Sequence, residues 1–76
     1  MKNNKFVELK VFRTRCELSQ EDLANLIGQA QSNYAAKENG QVRFFLDEAI
    51  AISNEINKIL NKKGYEKISI EDLFKR

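Results

Sequence analysis

Hydrophobic positions in this 76-residue chain recur mainly at three- and four-residue spacing, which predicts helices throughout. A first helix over about residues 5–16 is indicated by an apolar stripe made of Phe6, Leu9, Phe12 and Cys16. Cys16 on this stripe is expected to be a small core residue rather than a reactive thiol. The sequence has no proline, and its only short candidate for a strand is KISI at 67–70. An all-α fold is therefore expected.

Capping residues mark the ends of two short helices in the middle of the chain. Ser19 is a candidate N-cap, and Asp22 three residues later gives a weaker version of the capping box. Gly28 is expected to end this second helix, because glycine adopts the left-handed conformation beyond a helix end at little cost. A third helix over about 31–38 is expected to stop at the Asn-Gly pair 39–40 for the same reason.

A longer apolar stripe predicts a fourth helix over about residues 46–61, and it consists of Ala49, Ile52, Ser53, Ile56 and Leu60. A second Ser-x-x-Asp pair at 69–72 opens a last short helical turn, which should return Leu73 and Phe74 to the core. The chain shows no linker and no internal repeat. Residues 1–76 are therefore predicted to form one domain, with its core over about 6–74.

Composition excludes several function classes. One cysteine and no histidine exclude an intramolecular disulfide, a zinc finger and the usual histidine-based catalysis. No apolar run approaches the roughly 18 residues of a membrane span, and the start MKNNKF lacks a signal-peptide core, so a cytoplasmic protein is expected. No nucleophile–base pair or phosphate-binding glycine loop is visible, so no enzyme, cofactor, metal or small-molecule substrate is expected. The net charge of +2 permits nucleic-acid binding without arguing for it.

The second and third helices are separated by only about three residues. They must therefore cross steeply, as in a helix-turn-helix, and the outer side of the third helix has no core to cover. On that side Gln31, Ser32 and Asn33 carry amide and hydroxyl groups, which are suited to reading base edges in a major groove. The alternative is a merely solvated first helical turn, but the register behind the turn favours a base-reading helix.

The segment LSQEDLANLIGQAQSNYAAKENG at 18–40 resembles the DNA-binding domain of phage Cro and repressor proteins, the Xre-type helix-turn-helix family. Members typically show Leu-Ser-Gln-x-x-Leu-Ala, then Gly, an apolar residue and Ser-Gln-Ser, and close on Glu-Asn-Gly or a similar triplet. FLDEAIAIS and ISIEDLF resemble the fourth helix and the closing segment, with an apparent insertion near 58–67. The resemblance implies a five-helix lambda-repressor-like DNA-binding domain, with its helix-turn-helix over about 19–39 and a lengthened fourth helix.

Four positions depart from the family pattern. Gln29 stands where an apolar turn residue is usual, and Ala30 and Phe45 stand where side-chain caps would begin the third and fourth helices. The missing cap at Ala30 should cost about 1 kcal/mol. Lys37 occupies an often aliphatic position, where its stem could pack while its ammonium group reaches solvent.

The resemblance also implies which residues bind the DNA backbone, and these phosphate contacts would position the base-reading helix. The implied residues are Gln20, Lys37, Asn39 and Arg43, with Lys10 as a further candidate. Arg13 has two interpretations, of which we favour an ion pair with Glu38 over a phosphate contact. Tyr34 is similarly open: inward packing of its ring is favoured over a hydroxyl–phosphate contact.

The favoured function is a sequence-specific, double-stranded-DNA-binding transcriptional regulator of phage or mobile-element type, which acts by occupying an operator. The alternative is an antitoxin or accessory protein of the same fold, whose main partner is another protein. A homodimer through the C-terminal third is expected, because apolar residues there exceed the core stripe, namely Ile59, Tyr65 and Ile68. Val7 and Val11 form a competing patch on the first helix.

Overall fold

The structure is a computed structural model that describes residues 5–76, and these residues contain helices and no strand. Five helices follow one another along the chain: α1 (Val7–Arg15), α2 (Gln20–Leu26), α3 (Gln31–Glu38), α4 (Leu46–Lys62) and α5 (Ile70–Leu73). The predicted all-α class is confirmed, and so are the five helical elements. Residues 1–4 of the predicted domain, which make up most of the MKNNKF segment, lie outside the described residues.

All five helices contribute to one core. Each buries at least one large side chain almost completely, and these include Leu9, Leu23, Tyr34, Ile52 and Leu73. Three rings from the segments between and beyond the helices, Phe6, Phe44 and Phe74, pack edge to face with centroids 5.2–5.8 Å apart. Cys16 is buried in the same core, as predicted, and burial raises the pKa of its thiol.

Glycines end three of the helices. Gly28, Gly40 and Gly64 have positive φ, and the amide of the residue after each one returns to the carbonyl five residues earlier, at 2.9 Å. The predicted ends of α2 and α3 are therefore confirmed. α1 ends with the same bond, but there Glu17 takes the left-handed conformation, with φ 61°, which costs a residue with a side chain about 1 kcal/mol.

The helix starts differ in how completely they are capped. Ser19 and Asp22 form a full capping box on α2: the Ser19 hydroxyl accepts from the Asp22 amide at 3.0 Å, and the Asp22 carboxylate accepts in return at 2.8 Å. Ala30 has extended N-cap geometry on α3 but makes no side-chain cap, as predicted. At α4, the Glu48 carboxylate accepts from the Phe45 amide at 3.0 Å, and the Asp47 carboxylate accepts from the Glu48 amide at 3.0 Å.

α2 and α3 pack against each other across the turn 27–30, and Ala24, which is almost fully buried, lies on the inner side of α2. α4 has 17 residues and supplies the longest buried stripe of the core. No helix within residues 5–76 combines the length and the apolar character needed to cross a membrane.

Candidate nucleic-acid interface

The outer side of α3 carries the three residues predicted to read bases. Gln31, Ser32 and Asn33 form its first turn, and all three are exposed. The Asn33 amide donates a hydrogen bond of 2.8 Å to the side chain of Gln29, the turn residue that departs from the family pattern. Within the described part of the chain, the side chains of Gln31 and Ser32 make no hydrogen bond. The fold thus leaves two of the three polar groups uncommitted.

The inner side of the same helix is also polar, but it is buried. One face of α3 carries Tyr34, Lys37 and Glu38, because the last two follow Tyr34 by three and four residues. Tyr34 is fully buried, which confirms that its ring packs inward. A polar buried face needs a hydrogen-bond partner for every group, because an unpaired buried polar atom is costly.

Glu38 collects those partners from three helices. Arg13 donates from Nε and Nη2 at 2.8 and 3.2 Å, the Tyr34 hydroxyl donates at 2.8 Å, and Gln20 Nε2 donates at 3.2 Å. Arg13 Nη1 also donates to the carbonyl of Leu18 at 2.9 Å. No buried side-chain nitrogen or oxygen in residues 5–76 lacks a partner. The predicted Arg13–Glu38 pair is confirmed, and the network locks α1, α2 and α3 together.

The charges in this network are stable. Burial acts to raise the pKa of Glu38, but hydrogen bonds from Arg13, Tyr34 and Gln20 outweigh it and lower the pKa. Burial first, and the Glu38 charge second, raise the pKa of Tyr34, so its hydroxyl stays a neutral donor. The hydrogen bond with Glu38 raises the pKa of Arg13 against the effect of burial. The cluster therefore holds a fixed carboxylate and is a structural feature of the domain.

Lys37 corrects one expectation. The Lys37 side chain is only 3% exposed, and its ammonium group pairs with Glu48. The same ammonium group lies 4.8 Å from the centre of the Phe45 ring. The ammonium group does not reach solvent, because Glu48 at the start of α4 provides a buried anionic partner. Lys37 is therefore not placed to bind a phosphate without breaking this pair.

Three of the predicted phosphate-binding residues line one cavity of about 220 Å³. Gln20, Asn39 and Lys10 contribute to its wall, and Lys5, which sequence analysis did not select, is also there. Two lysines and two amides around one cavity can hold an oxyanion by charge and hydrogen bonds. The buried carboxylate of Glu38 borders the cavity too, and one N–H of the Gln20 amide is directed to it, which leaves the second N–H for a ligand.

Two further basic positions complete the comparison with the sequence predictions. Arg43 is exposed in the connection between α3 and α4. It follows the cavity residue Asn39 by four positions in the chain, but it does not line the cavity. The sequence carries no local signal for Lys5, which precedes α1. Its contribution depends on how α1 approaches α2, and no motif records that approach.

The C-terminal third offers less apolar surface than expected for a dimer. Ile59 and Ile68 are half-buried and pack against the domain's own core. The Asn57 side chain holds the Ile68 backbone on both sides, accepting from its amide at 2.8 Å and donating to its carbonyl at 3.0 Å. Only Tyr65 of the three predicted contact residues is exposed. The dimer through the C-terminal third stays a prediction, with less apolar surface than expected because the fold itself uses part of Ile59 and Ile68.

The described residues contain no cluster of three or more cysteine, aspartate and glutamate side chains that could hold a metal ion. Comparison with protein-family models, with curated proteins and with solved structures finds no match. Function is therefore inferred from the side chains and their arrangement.

Proposed function

We propose that this protein is a sequence-specific, double-stranded-DNA-binding transcriptional regulator of phage-repressor type, which acts by occupying an operator. α3 would lie in the major groove, with Gln31, Ser32 and Asn33 at the base edges. The observation that carries the proposal is the two-sided character of α3. Its inner side is fixed by the Glu38 network, and its outer side presents exposed amide and hydroxyl groups that the fold does not use.

Backbone binding would come from the cavity lined by Lys5, Lys10, Gln20 and Asn39, with Arg43 at a second point. A phosphate there would lie among the side chains of two lysines, Gln20 and Asn39, which would set the register of α3 on the duplex. Lys37 is no longer part of the proposed contact set, since its charge is already paired.

Two copies would be needed for tight binding. One short helix contacts only a few base pairs, and a net charge of +2 supplies little non-specific attraction. Regulators of this kind bind two-fold symmetric sites, with half-sites about 34 Å apart. We therefore infer an operator with two half-sites, each occupied by one protomer.

The decisive experiment selects bound sequences from a random double-stranded DNA pool and then measures affinity for the selected and a scrambled duplex. Gln31→Ala should weaken binding to the selected duplex by about 1–3 kcal/mol and leave binding to the scrambled duplex nearly unchanged. Gln41→Ala is the matched control, since Gln41 is exposed just after α3. No sequence preference in the pool, or an unchanged preference in Gln31→Ala, would contradict the proposal.

Lys10 tests the backbone part separately. Lys10→Gln should weaken all duplexes similarly and reduce the slope of log affinity against log salt by about one. Lys75→Gln removes an equally exposed lysine after α5 and should leave that slope unchanged. Equal effects of the two substitutions would show that the cavity has no special part in binding.

A further inference from the structure

Exposed apolar side chains are concentrated in the chain around the start of α4. They are Val42 (42% exposed), Phe45 (62%), Leu46 (72%) and Ile50 (45%), which are four of the eight large apolar side chains that are exposed. Leu46 and Ile50 are four residues apart on one helix face, and the other two precede them closely in the chain. We call these four residues the α4 patch.

The fold does not account for this patch. α4 turns a different face to the core, with Ile52, Ile56 and Leu60 fully buried. Phe45 has a partial role, because its ring lies against the Lys37 ammonium group. Leu46, the most exposed of the four, packs neither on the Lys37–Glu48 ion pair nor on the core cluster. A grouped apolar surface of this kind on a small domain marks an interaction site.

We propose that the α4 patch binds the α4 patch of a second copy of this chain, in a two-fold symmetric contact. This inference rests on the proposed function, which requires two protomers on one operator. It also replaces the C-terminal third as the place of pairing, where Ile59 and Ile68 pack inward.

Charge identifies the occupant as a second copy. Arg43 and Asp47 lie on the two sides of Phe45 and Leu46 in the chain; both are exposed, and neither has an ion-pair partner within residues 5–76. With the two-fold axis crossing this segment, the two copies run antiparallel, and Arg43 of each protomer can then face the partner's Asp47. The patch is thus complementary to itself in charge as well as apolar.

The position of the patch also fits joint binding to DNA. Lys37, in the last turn of α3, pairs with Glu48 in the first turn of α4 and contacts Phe45. The patch is therefore attached to the C-terminal part of the base-reading helix through buried contacts. A partner bound there would hold the two α3 helices in a fixed relation.

The size of the patch predicts a weak dimer. A standard interface buries about 800 Å² per partner, which would be roughly a sixth of the 5124 Å² exposed by the described chain. Four side chains supply less than that. Pairing is therefore weak in solution and is completed when both protomers occupy one duplex.

The experiment compares Leu46→Glu with Val11→Glu by sedimentation equilibrium and by titration of single-half-site and two-half-site duplexes. Glutamate suits the first turn of a helix, so Leu46→Glu should fold. Val11 is exposed apolar surface of the competing patch on α1 and serves as the matched control. Leu46→Glu should weaken self-association and two-half-site binding at least about tenfold, as expected for a charge in a small apolar contact. Binding to a single half-site should not change.

A charge exchange tests the two-fold geometry without DNA, because Arg43 is also a proposed phosphate contact. Arg43→Glu and Asp47→Arg should each weaken self-association, and the double variant should restore it. Wild-type association that survives Leu46→Glu, or is lost in Val11→Glu, would overturn the inference. So would a protein that stays monomeric and binds two half-sites without cooperativity, the result expected if the patch serves a different protein. Failure of wild-type protein to bind any half-site would instead refute DNA binding, while the sedimentation result would still decide the self-contact.

Discussion

The two sides of α3 are both polar, but they differ in burial and in hydrogen bonding. The inner side holds Tyr34, Lys37 and Glu38, which are buried and whose polar groups bond to one another or to other elements of the fold. The outer side begins with Gln31 and Ser32, which are exposed and have no side-chain partner among the described residues. One eight-residue helix therefore carries two kinds of polar surface.

The difference shows that polarity alone does not identify a binding surface. The inner polar groups are accounted for by the fold, since Glu38 accepts from α1, from α2 and from Tyr34, and Lys37 pairs with Glu48 of α4. Of the outer polar groups within the described residues, Asn33 bonds locally to Gln29, and the side chains of Gln31 and Ser32 make no hydrogen bond. Substitutions on the inner side should therefore change stability, whereas those on the outer side should change DNA binding alone.

The largest expected effect comes from Glu38→Ala. Removing this carboxylate leaves Arg13 buried without its partner, which should cost about 3–5 kcal/mol. That loss is comparable with the whole stability of a small domain. Urea unfolding followed by circular dichroism measures it, and Ser32→Ala on the outer side should stay within about 0.5 kcal/mol of wild type.

The same comparison can be sharpened by removing both charges. A variant with Arg13→Met and Glu38→Leu should recover much of the loss, because the penalty belongs to the unpaired charge. Glu38→Ala that unfolds like wild type would show that the network contributes little to stability. The contrast between the two sides of α3 would then fail.

A smaller effect is expected for Tyr34→Phe, which deletes one hydroxyl donor to Glu38 and keeps the buried ring. Hydrogen bonds to charged groups contribute about 1.5–3 kcal/mol, so unfolding should become easier by that amount. Tyr65→Phe is the matched control, since Tyr65 is exposed. Equal unfolding midpoints for the two variants would contradict a role for the Tyr34 hydroxyl.

Local signals in the sequence were sufficient for much of this molecule. Gly28 and the glycine after Asn39 ended their helices as predicted, because the left-handed conformation favours glycine regardless of tertiary context. The Arg13–Glu38 pair followed from the family resemblance. Glu17 shows the limit, because it adopts the glycine conformation without being glycine.

Tertiary contacts decided the remaining positions. Lys37 turned inward because Glu48, across the connection between two helices, offers a partner that no local pattern records. Ile68 turned inward because Asn57 fixes its backbone. The exposed start of α4 was missed for a related reason: an apolar residue near a helix start is as consistent with burial as with exposure until the helix orientation is known.

The next prediction concerns the junction between the two sides of α3. Ala30→Ser should stabilise the protein by about 0.5–2 kcal/mol, because residue 30 has N-cap geometry and no capping side chain. Thermal unfolding measures the gain, and Ala35→Ser, inside α3, should bring none. An unchanged midpoint for Ala30→Ser would mean that the first turn, with the residues proposed to read bases, starts elsewhere.

The smallest expected effect is the acid dependence that the inner side adds to stability. Burial acts to raise the pKa of Glu38, and hydrogen bonds from Arg13, Tyr34 and Gln20 act more strongly to lower it. The net lowering of the pKa is therefore the difference between two opposing effects. A carboxylate with a lowered folded-state pKa stabilises the protein above its unfolded-state pKa of about 4.3. That contribution is lost as the pH falls through the folded-state value.

Tyr34→Phe tests this dependence without removing the carboxylate. It deletes one of the hydrogen bonds that lower the pKa, so the Glu38 pKa should rise toward its ordinary value. The stability difference between wild type and Tyr34→Phe should therefore shrink as the pH falls below about 4.3 and through the folded-state value, measured by urea unfolding at each pH. Gln31→Ala should give a curve parallel to wild type, because Gln31 does not titrate and does not contact the network. Parallel curves for Tyr34→Phe as well would show that Glu38 titrates independently of the hydroxyl, and that the inner side of α3 is not electrostatically coupled as its geometry indicates.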